Sequence, residues 1–397
     1  MKKIKNKEDL NKFVDKIKSQ DGYKEPIAWA VARVEKSFLD EEKTLCANYA
    51  VINYKENYAS FAVLFWALQE CGIKVDTKGS EFVAKLDRDV VDKVLEIFDF
   101  LVDEVDGNSH KNLQNFMTID EILSEDGEDN FCATFIFEDK APKSVESVYL
   151  KLYLLSLGKV ALRSLNLDGA FGVLPNVAWD LQSKPIELEW LKENEIWLKM
   201  SGAYPTILSV DKFPRFLSHI VPNDSVRVLD SSKVRLGAHL ADGTTIMPGA
   251  SYVNFNAGTT GKAMVEGRIS SSVIVGDGSD IGGGASILGV LSGTSGNAIS
   301  VGKRALLGAN SVTGIPLGDD CIVDAGIAIL EGTKIYISSV EAKKLQEANK
   351  EFKFDKEIFK GLELCNLNSL HFRQDSQSGK ITASYNKKTV KLNENLH

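Results

Sequence analysis

No segment of the chain approaches the roughly 20 consecutive apolar residues that a helical membrane span requires. The opening stretch, MKKIKNKEDLNKFVDKIKSQ, has lysines but neither a continuous apolar run nor a small-residue cleavage site, so it is not read as a secretory signal. Cysteine is scarce. The five residues Cys46, Cys71, Cys132, Cys321 and Cys365 are odd in number, scattered and free of C-x-x-C spacing, which argues against a disulfide framework or a zinc knuckle. Basic charge is also short: 47 Lys and Arg face 55 Asp and Glu, a net charge of -8, so the field that would neutralise a phosphate backbone is missing. These absences lead us to expect a soluble cytoplasmic protein that binds neither nucleic acid nor membrane.

What is present is ordinary globular material, with 44% hydrophobic, 9% aromatic and 26% charged residues. At 397 residues the chain exceeds one usual core, and two or three domains are expected. Leu10, Phe13, Val14 and Ile17 lie on one face of an opening helix. Next come two apolar runs, IAWAVARV and TLCANYAVINY, then the helix YASFAVLFWALQEC and a short strand GIKV. The spacing of Val83, Leu86, Val90, Val94, Ile97 and Phe98 predicts a long helix capped by Ser80. DGNSHKN and DEILSEDGEDN read as surface loops. FCATFIFED reads as a strand, SVESVYLKLYLLSL as a helix and NLDGAFGVLPNVAWD as irregular chain.

Near Val234 a different rule takes over. Aliphatic residues recur every six positions at Val234, Leu240 and Ile246, with Ala238, Thr244 and Ala250 four places after each. The period returns at Ile269, Val275, Ile281 and Ile287, at Val301 and Leu307, and at Leu317, Val323, Ile329 and Ile335. A fixed six-residue period with small residues at corners predicts a left-handed parallel β-helix, each hexad forming one side of a triangular turn. Two interruptions, YVNFNAGTTGKAMVEG at 252–267 and SGTSGNA at 292–298, mark places where a ligand groove could form; the second reads as an extruded loop. SSVEAKKLQEANKEF reads as a helix and 363–397 as a hairpin or tail. The expected organisation is an α+β N-terminal region at 1–225, divisible into two subdomains, the β-helix at 226–337, and a C-terminal helix and tail at 338–397.

The motifs SYVNFNAGT, MVEGRISSSVIVGDGSDIGGGASILGVLSG, ISVGKRALLGANS and LGDDCIVDAG together resemble the tetrahydrodipicolinate N-succinyltransferases, in their longer bacterial form. The resemblance covers about 226–340 as ordered motifs. It implies a homotrimeric acyltransferase with active sites between subunits. The implied reaction moves succinyl from succinyl-CoA to tetrahydrodipicolinate, giving N-succinyl-2-amino-6-oxopimelate on the diaminopimelate route to lysine. Succinyl-CoA would be a co-substrate, and no cofactor would be tightly bound.

Acyl transfer from a thioester needs a nucleophilic amine, an acceptor for its proton and donors near the developing oxyanion. Glu266, an isolated carboxylate in MVEGR, is the candidate base, and the resemblance places the family's catalytic acid there; a covalent role stays open. A charged corner residue is the plainer alternative. Arg268 could meet a substrate carboxylate with its planar fork, or be an ordinary surface arginine. By resemblance Gly283, Ser286, Ala309, Asp324, Ala325 and Gly332 contact the coenzyme, though glycines also serve tight corners. Lys303 and Arg304 are as well explained by a solvated face, and Asn254 and Asn256 by a structural ladder. His239 alone cannot supply the three histidines of a zinc β-helix enzyme. The family can hold a divalent ion near the start of the coil, but SSKVRLGAHL and TTIMPGASYVN offer no acids there, so no metal is expected. A structural or ice-binding solenoid would need regular threonine arrays, which are missing. An N-acetyltransferase of the same pathway, or a sugar-amine acyltransferase, is the enzyme alternative.

Overall fold

The computed structural model describes residues 3–125, 130–290, 296–388 and 392, and the chain divides into two units. One comprises residues 1–154 and 165–214, the other 155–164 and 215–397. The segment after 337 falls in the unit that contains the coil, and the division between the units falls after Pro214.

In the first unit α1 (Lys7–Lys18) starts behind Asn6, whose side chain accepts from Asp9 N, and buries Leu10, Val14 and Ile17 as the periodicity predicts. It is followed by β1 (Ala28–Lys36), β2 (Thr44–Tyr54), α2 (Tyr58–Glu70), β3 (Glu81–Leu86), α3 (Arg88–Phe98), α4 (Lys111–Glu125), β4 (Phe131–Ile136) and α5 (Val145–Ser156). The strands form one antiparallel sheet in the order β2-β1-β4-β3. On one face Trp29, Val31, Leu86, Phe131 and Phe135 pack with Phe61, Phe65, Val94 and Phe116 from the helices. On the other, Tyr49 meets Tyr153 of α5 edge-on at 5.5 Å and donates from its hydroxyl to Glu146 O. With helices on both faces, every residue of β4 is buried, which is why FCATFI shows no alternation and its one polar residue, Thr134, meets the Tyr49 hydroxyl at 2.8 Å.

Four expectations need correction here. Residues 81–86 form β3 and no helix: the register of β3 against β4 commits their backbone, and α3 starts after Asp87, whose carboxylate accepts from Val90 N at 3.1 Å. GIKV is irregular chain. Asp120–Glu125 complete α4, and 126–129 of that expected loop lie outside the described residues. NLDGAFGVLPNVAWD holds a helical turn, Ala170–Val173, and a strand, Val177–Asp180, in a three-stranded sheet with Pro185–Glu187 and Ile207–Asp211.

The second unit is a triangular parallel coil. Its first face stacks Tyr252–Val253, Arg268–Ile269, Ser286–Ile287, Val312–Thr313 and Ala328–Ile329. The second stacks Gly258–Thr259, Ile274–Val275 and Ser300–Val301. The third stacks Thr244–Ile246, Ala263–Val265, Ser279–Ile281, Leu306–Leu307 and Ile322–Val323. The predicted inward positions are all buried, Ile246, Ile269, Val275, Ile281, Ile287, Leu307, Val323, Ile329 and Ile335 to 0% exposure.

The first expected interruption, 252–267, is itself coiled, because its pieces pair in register with the next turn. What breaks the period is a shortened corner. Val265 and Ile269 lie four positions apart where a hexad needs six, so Val253 and Ile269 partner at a separation of 16 while Ile269 and Ile287 keep 18. The second interruption stretches one turn to 26 between Ile287 and Thr313. Residues 291–295 of that loop lie outside the described residues.

After the coil comes the predicted helix, Ser339–Ala348, capped by Ser338, then a hairpin of Leu370–Gln374 with Ile381–Tyr385. The first hairpin strand adds in parallel to Ile322–Val323, so the third face is extended by chain from the C-terminal segment.

Candidate active site

The shortened corner between the third and first faces carries Glu266. A β-carbon on Gly267 would lie 2.3 Å from Ala285 O, so only glycine lets the chain turn this tightly against the next coil. Successive corners then stack by backbone hydrogen bonds: Gly284 N donates to Glu266 O at 3.1 Å, Asn310 N to Gly283 O at 2.9 Å, and Gly326 N to Ala309 O at 2.9 Å. Glu266, Gly283, Ala309 and Ala325 thus form one column along the coil, with turns about 4.8 Å apart. The Glu266 carboxylate lies over Gly283, with Oε2 3.5 Å from where a β-carbon would stand. Above it the corner carries the exposed Ala309 and Ala325, with Asn310 and Asp324 as their neighbours in the chain.

Arg268 and Ser286 are register partners on the first face, next to this corner. Arg268 is exposed and makes no ion pair among the described residues; Ser286 Oγ is sealed from solvent with no hydrogen-bond partner among them. Asp324 flanks the column and is held from the C-terminal hairpin. His371 Nε2 lies 2.7 Å from Asp324 Oδ1, and Arg373 Nε lies 3.6 Å from Asp324 Oδ2 and 3.1 Å from the same ring nitrogen. Gly332 is not in the column; it sits exposed at the next corner, between Ile329 and Ile335.

The other motif residues are engaged elsewhere. Arg304 forms a two-point pair with Asp320 of the following turn, Nε to Oδ1 at 2.7 Å and Nη2 to Oδ2 at 2.8 Å, at the corner between the second and third faces. Asn256 accepts from Arg163 N at 2.7 Å, and Asn254 accepts from Arg235 Nη1 at 3.2 Å, both between the first and second faces. His239 Nδ1 lies 3.3 Å from Ser156 O, with its ring against Gly158. Burial pushes the Cys321 thiol up to about 12, so it provides no thiolate nucleophile. Among the described residues no group of three or more His, Cys, Asp or Glu is placed to hold a metal ion.

Sequence reasoning missed two features. His371 and Arg373 alternate on one strand, which is visible in HFR, but their meeting with Asp324 depends on a pairing across the whole C-terminal segment. Asp280 points outward on the third face beside Glu266, and burial raises its carboxyl above the usual range, with the charge of Glu266 adding to the shift.

Comparison with known proteins gives a consistent picture. Residues 8–172 match the model of the tetrahydrodipicolinate N-succinyltransferase N-terminal region and 174–215 that of its middle region. Residues 298–331 match the hexapeptide repeat of succinyl-transferase. The 2,3,4,5-tetrahydropyridine-2,6-dicarboxylate N-succinyltransferase of Campylobacter jejuni is 59% identical over 394 residues, covering 99% of this chain and 100% of its own. That of Nitratiruptor sp. is 58% identical over 395 residues, with 99% and 100% coverage. The Vibrio cholerae enzyme of the same name is 44% identical over 259 residues, 65% of this chain and 71% of its own. A crystal structure from C. jejuni, provisionally assigned as a 2,3,4,5-tetrahydropyridine-2-carboxylate N-succinyltransferase, superposes with a TM-score of 0.92 at 58% identity, covering 98% of this chain and 100% of that one.

Proposed function

The chain belongs to the tetrahydrodipicolinate N-succinyltransferase family, and from that premise we propose that the corner column headed by Glu266 is where its acyl transfer takes place. The enzyme moves succinyl from succinyl-CoA to the nitrogen of tetrahydrodipicolinate, giving N-succinyl-2-amino-6-oxopimelate for diaminopimelate and lysine synthesis. One water is consumed as the ring imine becomes a ketone. Nitrogen attacks the thioester carbonyl, the C–N bond forms, the C–S bond breaks, and the nitrogen's proton passes to the Glu266 carboxylate while the departing thiolate takes up a proton.

The observation that carries this reading is the Glu266 carboxylate lying over Gly283, at the foot of a path lined by Ala309 and Ala325. The coenzyme arm runs along that path past Ser286, with Asp324 as a polar contact and Gly332 farther out. Arg268 meets a substrate carboxylate. Each site is completed by a neighbouring copy in a homotrimer, and the enzyme works in the cytoplasm.

Thiol release with tetrahydrodipicolinate and either succinyl-CoA or acetyl-CoA tests the assignment. Acceptor-dependent release is expected with succinyl-CoA, falling about 10²–10⁴-fold in Glu266→Gln with assembly intact. Near-normal turnover in that variant would remove Glu266 from the chemistry. Preference for acetyl-CoA would change the donor, and no release with either would point to a sugar amine as acceptor. A succinyl adduct on the chain after incubation without acceptor would replace the base role with a covalent one.

A further inference from the structure

We propose that Asp280 is a second acidic residue of this site and, together with Glu266, receives the basic nitrogen of the acyl acceptor. The inference rests on the reading of Glu266 given above. Along the third face the outward positions run Thr245, Met264, Asp280, Leu306 and Ile322, in register from turn to turn. Four of these are apolar or neutral, and the carboxyl group stands among them half-buried. Glu266 N donates to Ile281 O at 2.7 Å, which sets Glu266 diagonally across from Asp280. Gly282, Gly283 and Gly284 follow directly, so no side chain from that corner fills the space beside the two carboxyl groups.

Neither carboxyl group has a hydrogen bond or ion pair among the described residues. Burial first and the Glu266 charge second push the Asp280 carboxyl up. Two half-buried carboxyl groups side by side with no protein cation are costly unless something positive or a proton lies between them. The acceptor supplies it: its nitrogen is basic, while its carboxylates need the opposite sign, and Arg268 stands two positions beyond Glu266 to provide that. In this arrangement Glu266 takes the proton released as the C–N bond forms and the C–S bond breaks. Asp280 holds the nitrogen in line and leaves with its charge state unchanged.

Steady-state kinetics on the full-length enzyme separate the roles. Asp280→Asn is expected to raise the acceptor KM about ten- to a hundred-fold, the range of a lost charge-assisted contact, while the succinyl-CoA KM stays within about twofold. Should Asp280→Asn not assemble, Asp280→Glu must keep a lower acceptor KM than Asp280→Ser. An unchanged acceptor KM, or an equal rise in both KM values accompanied by a fallen Tm, overturns the inference. Glu266→Gln run in parallel keeps the two readings apart: full kcat there defeats the base assignment, whereas loss of kcat there with a normal acceptor KM in Asp280→Asn defeats only this one.

Discussion

Gly267 shows how a single residue sets the site: its missing side chain permits the four-residue corner, and that corner turns Glu266 outward where a full hexad would continue the flat face. His219 is the other residue with a sharp consequence. Its Nε2 is sealed from solvent, and burial lowers its pKa from 6.5 to about 4. A histidine kept neutral in the folded state gains a proton on unfolding at any pH between those values, so the unfolded chain binds more protons there. The associated stability is complete above about 6.5 and is lost as pH falls toward 4, at most on the order of 3 kcal/mol. Replacing His219 with Gln should therefore narrow its stability gap from the native chain as pH drops from 7 to 4, read by urea midpoints; a gap constant with pH would disprove the linkage.

At the scale of elements, the C-terminal hairpin is a structural part of the coil. Leu370 and Phe372 are fully buried, Asp324 N donates to Phe372 O at 3.0 Å, and Gly318 N to Leu367 O at 3.1 Å. Without this strand Ile322–Val323 would be an open sheet edge over an apolar interior. Phe372→Ala should cost about 3–5 kcal/mol, lower the Tm and promote aggregation, which thermal melts with light scattering would register; an unchanged melt would mean the hairpin only rests on the coil. The hexads were legible because an inward aliphatic at every sixth place is a local pattern. The strand at 81–86 was not, because Val83 and Leu86 happen to keep helical spacing and the choice was made by β4, some fifty residues away. The site was legible only in part. Glu266 and Arg268 stood out through resemblance, but the column joining Glu266, Gly283, Ala309 and Ala325 steps by 17, 26 and 16 residues, which no fixed period encodes. Asp280 was hidden because a carboxylate between Ser279 and Ile281 looks like any outward hexad position.

For the whole molecule, the decisive property is that one coil supplies one wall. The corner from Glu266 to Ala325 presents the exposed Ala309 and Ala325, a surface along which an extended ligand can lie but which cannot enclose it. Acyl transfer needs the thioester shielded from water, and in the homotrimer proposed above the opposite wall comes from another chain, a closed ring of identical chains supplying every site with one. The expected assembly is a trimer, with a light-scattering mass three times that of the chain. Specific activity should fall in step with that mass when the protein is diluted into dissociation, and recover on reconcentration. A monomer with full activity per chain would show that the corner column and its own unit suffice, and would move the second wall back onto the same chain.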